Sequence, residues 1–122
     1  MAILFADPPD WTDGNPDWYG TYQFPATMTA GVYNDSGEQL SDTDDLLGAF
    51  DADGNVRGIG TAINVSFGPY EGTVVHEMQM WSNVEGDILS FKYYDASEDA
   101  VFDIAETYEF TANDILGHLI TG

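Results

Sequence analysis

The chain has no cysteine and, among 122 residues, only two cations, Arg57 and Lys92. The first absence excludes disulfides, thiolate metal sites and thiol nucleophiles. The second, set against 22 acidic residues, leaves a formal charge of −20. Such a surface repels phosphate, so nucleic acid is excluded as a partner and anionic membranes are disfavoured. No apolar run approaches the roughly 20 residues of a membrane helix. Internal repeats and low-complexity segments are also missing. There is no Gly-x-Ser-x-Gly elbow, phosphate-cradling glycine loop or dinucleotide fingerprint. The two histidines, His76 and His118, have no third imidazole to complete a metal triad. With so many acids, carboxylate pairs at any separation arise by chance, so a glycosidase pair has no diagnostic weight. The expectation is a protein that is not an enzyme.

What is present is a foldable core: 43% hydrophobic and 14% aromatic residues, in a length suited to one domain. We divide residues 1–122 into an N-terminal arm (1–20), a β core (21–112) and a C-terminal segment (113–122). Met1–Phe5 is apolar but lacks a basic flank and stops at Asp7-Pro8-Pro9, so it does not read as a signal peptide. Either the chain is not exported through such a signal, or it is a trimmed domain. The arm interleaves turn formers with Trp11, Trp18 and Tyr19.

From Thr21 onward, short β-like runs alternate with turns. Met28, Ala30 and Val32 share one face of the first run. Leu46–Phe50 is a nearly continuous apolar run, and Asp53-Gly54 reads as a type I′ hairpin turn into Val56–Val65. Thr73–Trp81 places His76 beside Val74, Met78 and Met80, the setting of a partly buried histidine. Ile88–Tyr94, Val101–Ile104 and Thr107–Phe110 follow, and Asn113 is placed to cap a short helical turn through Leu119. About eight strands at this spacing predict an all-β, antiparallel β-sandwich, jelly-roll or Ig-like.

Candidate sites follow from residue chemistry. Asp51-Ala52-Asp53-Gly54-Asn55 places oxygen ligands at alternate positions, as the start of a calcium loop does. An EF-hand is excluded, because Val56 and Ala62 stand where it needs glycine and glutamate. The loop carrying Asp42 and Asp44 could close beside Asp51, Asp53 and Asn55 to form an oxygen cage for one structural Ca2+. Asp95, Ser97 and Asp99 form another acidic cluster. Trp11, Trp18, Tyr19 and Tyr22, with Tyr33 and Tyr70, could line a sugar platform, plug the ends of the core or form an assembly interface. Arg57 and Lys92 are expected as structural charges among carboxylates, Arg57 with Asp45, Asp51 or Asp103.

The segments Asp45–Phe50, Arg57–Gly60, Trp81-Ser82-Asn83, Ile88–Ser97 and Phe102–Thr107 together carry a resemblance. Over residues 18–112 they resemble a β-sandwich module of large secreted surface proteins of marine and gliding bacteria. That resemblance implies a β-sandwich and an exposed location, and no catalytic residue. The long neighbouring regions of such proteins and their export signal are not in this chain. Release by lysis needs no signal, so a virion part is expected: a phage capsid decoration or fibre protein. Its partner would be a capsid or fibre lattice, with homo-oligomerisation. The alternative is a carbohydrate-binding or adhesion module of an extracellular surface protein, with a polysaccharide partner.

Overall fold

A computed structural model describes residues 11–12, 15, 17–33, 43–65 and 72–121. The chain is all-β. Its strands are β1 (Phe24–Tyr33), β2 (Leu46–Phe50), β3 (Val56–Asn64), β4 (Val74–Ser82), β5 (Ile88–Asp95), β6 (Ala100–Glu109) and β7 (Ile115–Thr121). They form one seven-stranded sheet in the order β6-β5-β2-β3-β4-β1-β7. Neighbours are antiparallel except β1 and β7, which run parallel.

The sheet cannot be flat. Laid out, seven strands would span about 29 Å from edge to edge. Yet the chain passes from the β6 edge to the β7 edge through residues 110–114, and the path from Glu109 to Ile115 reaches only about 20 Å. The sheet therefore curls until its edges meet at that corner, and Cα atoms of β6 and β7 come within 8 Å. The concave face is the core. It gathers Ala26, Met28, Ala30 and Val32 from β1, Leu47 and Ala49 from β2, and Met78 and Met80 from β4. Leu89, Phe91 and Tyr93 of β5, Ile104 of β6 and Phe110 complete it. Gly58 and Gly60 of β3 lie opposite Met80 and Met78. A Cβ on Gly58 would stand 2.9 Å from the Met78 sulfur, so Met78 and Met80 fill the space this glycine leaves, whereas Leu47 and His76 close over Gly60.

Three expectations need correction. The C-terminal helical turn is strand β7. Asn113 has φ 64°, a left-handed turn residue rather than an N-cap. Its N–H donates to Pro25 O at 2.7 Å, and Thr27 N–H donates to Asp114 O at 2.8 Å, which sets the following residues in parallel register with β1. Local capping propensity yields to that pairing. The runs at 101–104 and 107–110 fall on one strand, β6, with an irregularity opposite Ser90/Phe91, so the described residues hold seven strands where about eight were expected. The β2–β3 hairpin is present, but its turn is not type I′, which needs positive φ at both central residues. Gly54 alone is left-handed, at φ 83°. Its N–H donates to Asp51 O at 3.1 Å and Asp51 N–H to Asn55 O at 3.0 Å, a tight turn followed by a glycine bulge.

Candidate functional site

The convex face over β2, β3 and β4 is where most candidate residues meet. Alternation along β3 places Gly58 inward and therefore Arg57 outward. There its Nε donates to Asp51 Oδ2 at 2.9 Å and its Nη1 to Trp81 O at 3.2 Å. Nη2 lies 3.4 Å from Asp87 Oδ2. The guanidinium also covers the Tyr22 ring, 4.2 Å from its centroid. One cation thus joins the β2–β3 turn, the end of β4, the β4–β5 turn and the arm. Asp51 was among the partners expected for it; Asp87 was not, while Asp45 and Asp103 lie elsewhere.

Asp51 is buried, and its oxygens are engaged. Oδ1 accepts from the N–H groups of Asp53 and Asn55 at 3.0 and 2.9 Å, and Oδ2 from Asn55 Nδ2 at 3.2 Å as well as from Arg57. Burial by itself would raise this carboxyl, but the hydrogen bonds from Asn55 and the charge of Arg57 outweigh it and hold the group below its ordinary 3.8. Of the other residues of the expected oxygen cage, Asp44, Asp53 and Asn55 are exposed, and Asp42 lies outside the described residues. Among the described residues no three His, Cys, Asp or Glu side chains converge.

The aromatic arm lies against this face. Trp11 packs edge-on to Phe50, with ring centroids 5.4 Å apart, and covers Gly48. A Cβ on Gly48 would stand 2.7 Å from Trp11 Cε3, so the indole requires a glycine beneath it. Trp18 and Tyr19 begin a 3-10 turn (Trp18–Thr21), and Tyr19 stacks on Trp81 at 5.6 Å. Trp18 meets Tyr19 edge-on. The side chain of Asn83 fixes the arm's exit: it donates to Thr21 O at 2.9 Å and accepts from Gln23 N–H at 2.7 Å. The structure therefore brings Trp11, Trp18, Tyr19 and Tyr22 to one surface. Tyr33's side chain and Tyr70 lie outside the described residues. Lys92, on β5, pairs in register with Asp103, and its Nζ lies 5.6 Å from the Phe50 ring centroid.

A second polar group lies inside the core. Asp45, just before β2, accepts from the Tyr93 hydroxyl and, at 2.8 Å, from Ala96 N–H. His76 meets Tyr93 edge-on at 5.5 Å and is fully buried. Burial lowers the His76 pKa below its ordinary 6.5, and the Asp45 carboxylate offsets part of that shift. His76 was expected as a partly buried histidine and the structure buries it fully, while nothing local to Asp45 distinguished it from the acids around it. The third acidic cluster is a turn that satisfies itself: Asp95 Oδ1 accepts from Ser97 N–H and Oγ, and Asp99 accepts from Tyr94.

Comparison with protein-family models, curated proteins and solved structures found no match to this chain.

Proposed function

We propose that this domain is a non-catalytic, surface-exposed structural and binding module of a larger protein assembly, in the manner of a phage capsid decoration or fibre protein. One observation carries the reading. Of the titratable side chains described, the two that meet the core residue Tyr93, Asp45 and His76, are 1% and 0% exposed, where no substrate reaches them. The arm's aromatics and Arg57 are occupied in holding the convex face together. What remains for a partner is a strongly acidic exterior with apolar side chains at its margins. The resemblance to bacterial surface modules is consistent with such a role, at a virion surface or another extracellular face.

Sedimentation velocity tests this, first in chelator and then in millimolar calcium. A discrete oligomer supports the assembly reading, and its appearance only with calcium places a cation at the interface or in the fold. A monomer in both buffers that also fails to bind particles of the parent assembly sinks it. The alternative, carbohydrate binding or adhesion, draws on Tyr19, which is 43% exposed while stacked on Trp81. A glycan screen in which binding is lost on Tyr19→Ala, with the melt unchanged, would favour that reading instead.

A further inference from the structure

The curled sheet is closed at one corner and, among the described residues, no ladder joins its two edges along the rest of the seam. Strands β6 and β7 end the strand order, run in opposite directions and are not paired with each other. They are joined by residues 110–114, so the first half of β6, Ala100–Ile104, lies at the end of the seam away from that corner. Two large apolar side chains there, one on each face of the strand, are exposed. Phe102 pairs in register with Tyr93 and so shares its concave, core-facing side. Tyr93 is 1% exposed, whereas Phe102 is 41% exposed. On the opposite face of the same strand, Val101 is 48% exposed. A core-side aromatic is left uncovered where the next strand of the sheet would lie.

We propose that the free edge of β6 at Ala100–Ile104 accepts an extended, lysine- or arginine-bearing segment of a partner protein, which adds to the sheet as an eighth strand. This names the partner chemistry for the assembly role above and rests on that reading. Alternate residues of an edge strand point N–H and C=O groups away from the sheet, a ready template for strand addition. Apolar side chains of the added strand would cover Phe102 on one face and Val101 on the other. The irregularity after Ile104 limits the template to the first half of β6. Charge selects the partner. Glu98, Asp99 and Asp103 are exposed at or beside this stretch, on a chain of net charge −20. A second copy would bring the same charge to the seam and be repelled, whereas a basic segment is attracted.

The test is a titration of the isotope-labelled full chain with three synthetic heptapeptides, followed by amide chemical shifts. The first alternates lysine and valine. The second is the same peptide N-methylated at alternate amides, which keeps charge and side chains but removes the donors a strand needs. The third is heptalysine. Expected are shifts concentrated at residues 100–104 with the first peptide, and binding at least about tenfold weaker with each of the others. Phe102→Thr, which keeps β propensity, should weaken the first peptide about fivefold by removing apolar contact. Equal binding of all three peptides, shifts spread over the acidic surface, or no binding would each overturn the proposal. So would a wild-type dimer in sedimentation that Phe102→Thr dissolves, since the occupant would then be a second copy. The two readings fail separately. An intact assembly with a silent β6 edge sinks only the docking site. A chain that binds the peptide yet joins no assembly sinks the assembly role.

Discussion

Arg57→Met removes the guanidinium while keeping much of the stem that packs on the convex face. The pair it breaks is largely enclosed, with side-chain exposures of 13% for Arg57 and 7% for Asp51. Breaking a buried pair from one side typically costs about 3–5 kcal/mol, because the remaining charge is left in a poor solvent. Asp51 keeps its donors from Asp53 and Asn55, which moves the expectation to the lower end. The more exposed contact with Asp87 adds at most about 1 kcal/mol. The Trp81 carbonyl and the Tyr22 face add about as much again between them. A loss of about 3 kcal/mol is therefore a conservative figure. Unfolding entropy of about 2.1 cal/mol/K per residue gives about 0.26 kcal/mol/K for 122 residues, so Tm should fall by about 12 °C. The assay is a thermal melt by near-ultraviolet circular dichroism at about 0.15 M salt, repeated at about 1 M. Screening weakens repulsion across the acidic surface far more than a buried contact, so the deficit should persist in high salt. A melt unchanged within about a degree refutes the pinning role, and a deficit that disappears in high salt assigns it to general charge repulsion instead.

Gly48→Ala places a methyl 2.7 Å from the Trp11 ring and 3.0 Å from Phe50; a cost of about 1–3 kcal/mol and red-shifted tryptophan emission are expected, and unaltered emission and Tm would show that Trp11 does not rest on this glycine. Tyr93→Phe takes one donor from the buried Asp45 carboxylate and should lower the urea midpoint by the equivalent of about 1–3 kcal/mol; an unmoved midpoint would show that the hydroxyl adds nothing to stability. His76 has a lowered folded pKa, so its contribution is fully present above the unfolded value of about 6.5 and is lost as pH falls from there towards the folded value. The unfolded chain binds the proton first, and one group contributes a slope of at most about 1.4 kcal/mol per pH unit. The difference in stability between wild type and His76→Leu should therefore shrink or reverse on acidification below about pH 6.5, other carboxylates titrating alike in both; a constant difference down to pH 5 would refute the assignment.

How much of this was legible in the sequence depends on the range of the interaction. Apolar pattern is local: a nearly continuous run marked β2 at Leu46–Phe50, and alternation marked the buried faces of β1 and β4. The isolation of Arg57 among acids pointed to a carboxylate pair, and Asp51 is its shortest contact. Asp87 was missed because it follows a turn at Gly86 whose position relative to β3 depends on how β4 returns. Trp11 was visible as an arm aromatic, but its seat was not: the signal was Gly48 in an otherwise apolar run, an empty position that a strand uses when a ring or backbone approaches closely. Asp45 was expected as a partner for Arg57, and its actual role is tertiary: Tyr93 and Ala96 reach it from far along the chain.

The C-terminal strand shows how a local reading fails and why the failure bears on function. Asn113-Asp114-Ile115 has the composition of a helix start, and the residues beyond it tolerate a helix. Pro25 and Thr27 instead take up the backbone at 113 and 114, and parallel pairing with β1 follows. That pairing places β7 at the far end of the strand order from β6, although the two are neighbours in sequence. The short corner then forces the curl, and the curl makes one concave face into a core. A helical turn at 115–119 would have left β1 as the sheet's edge and β6 without a facing edge across the seam. What the edge of β6 at Val101 and Phe102 faces across the seam is thus set by where the last strand pairs, and it would not have been found from the pattern of β6 alone.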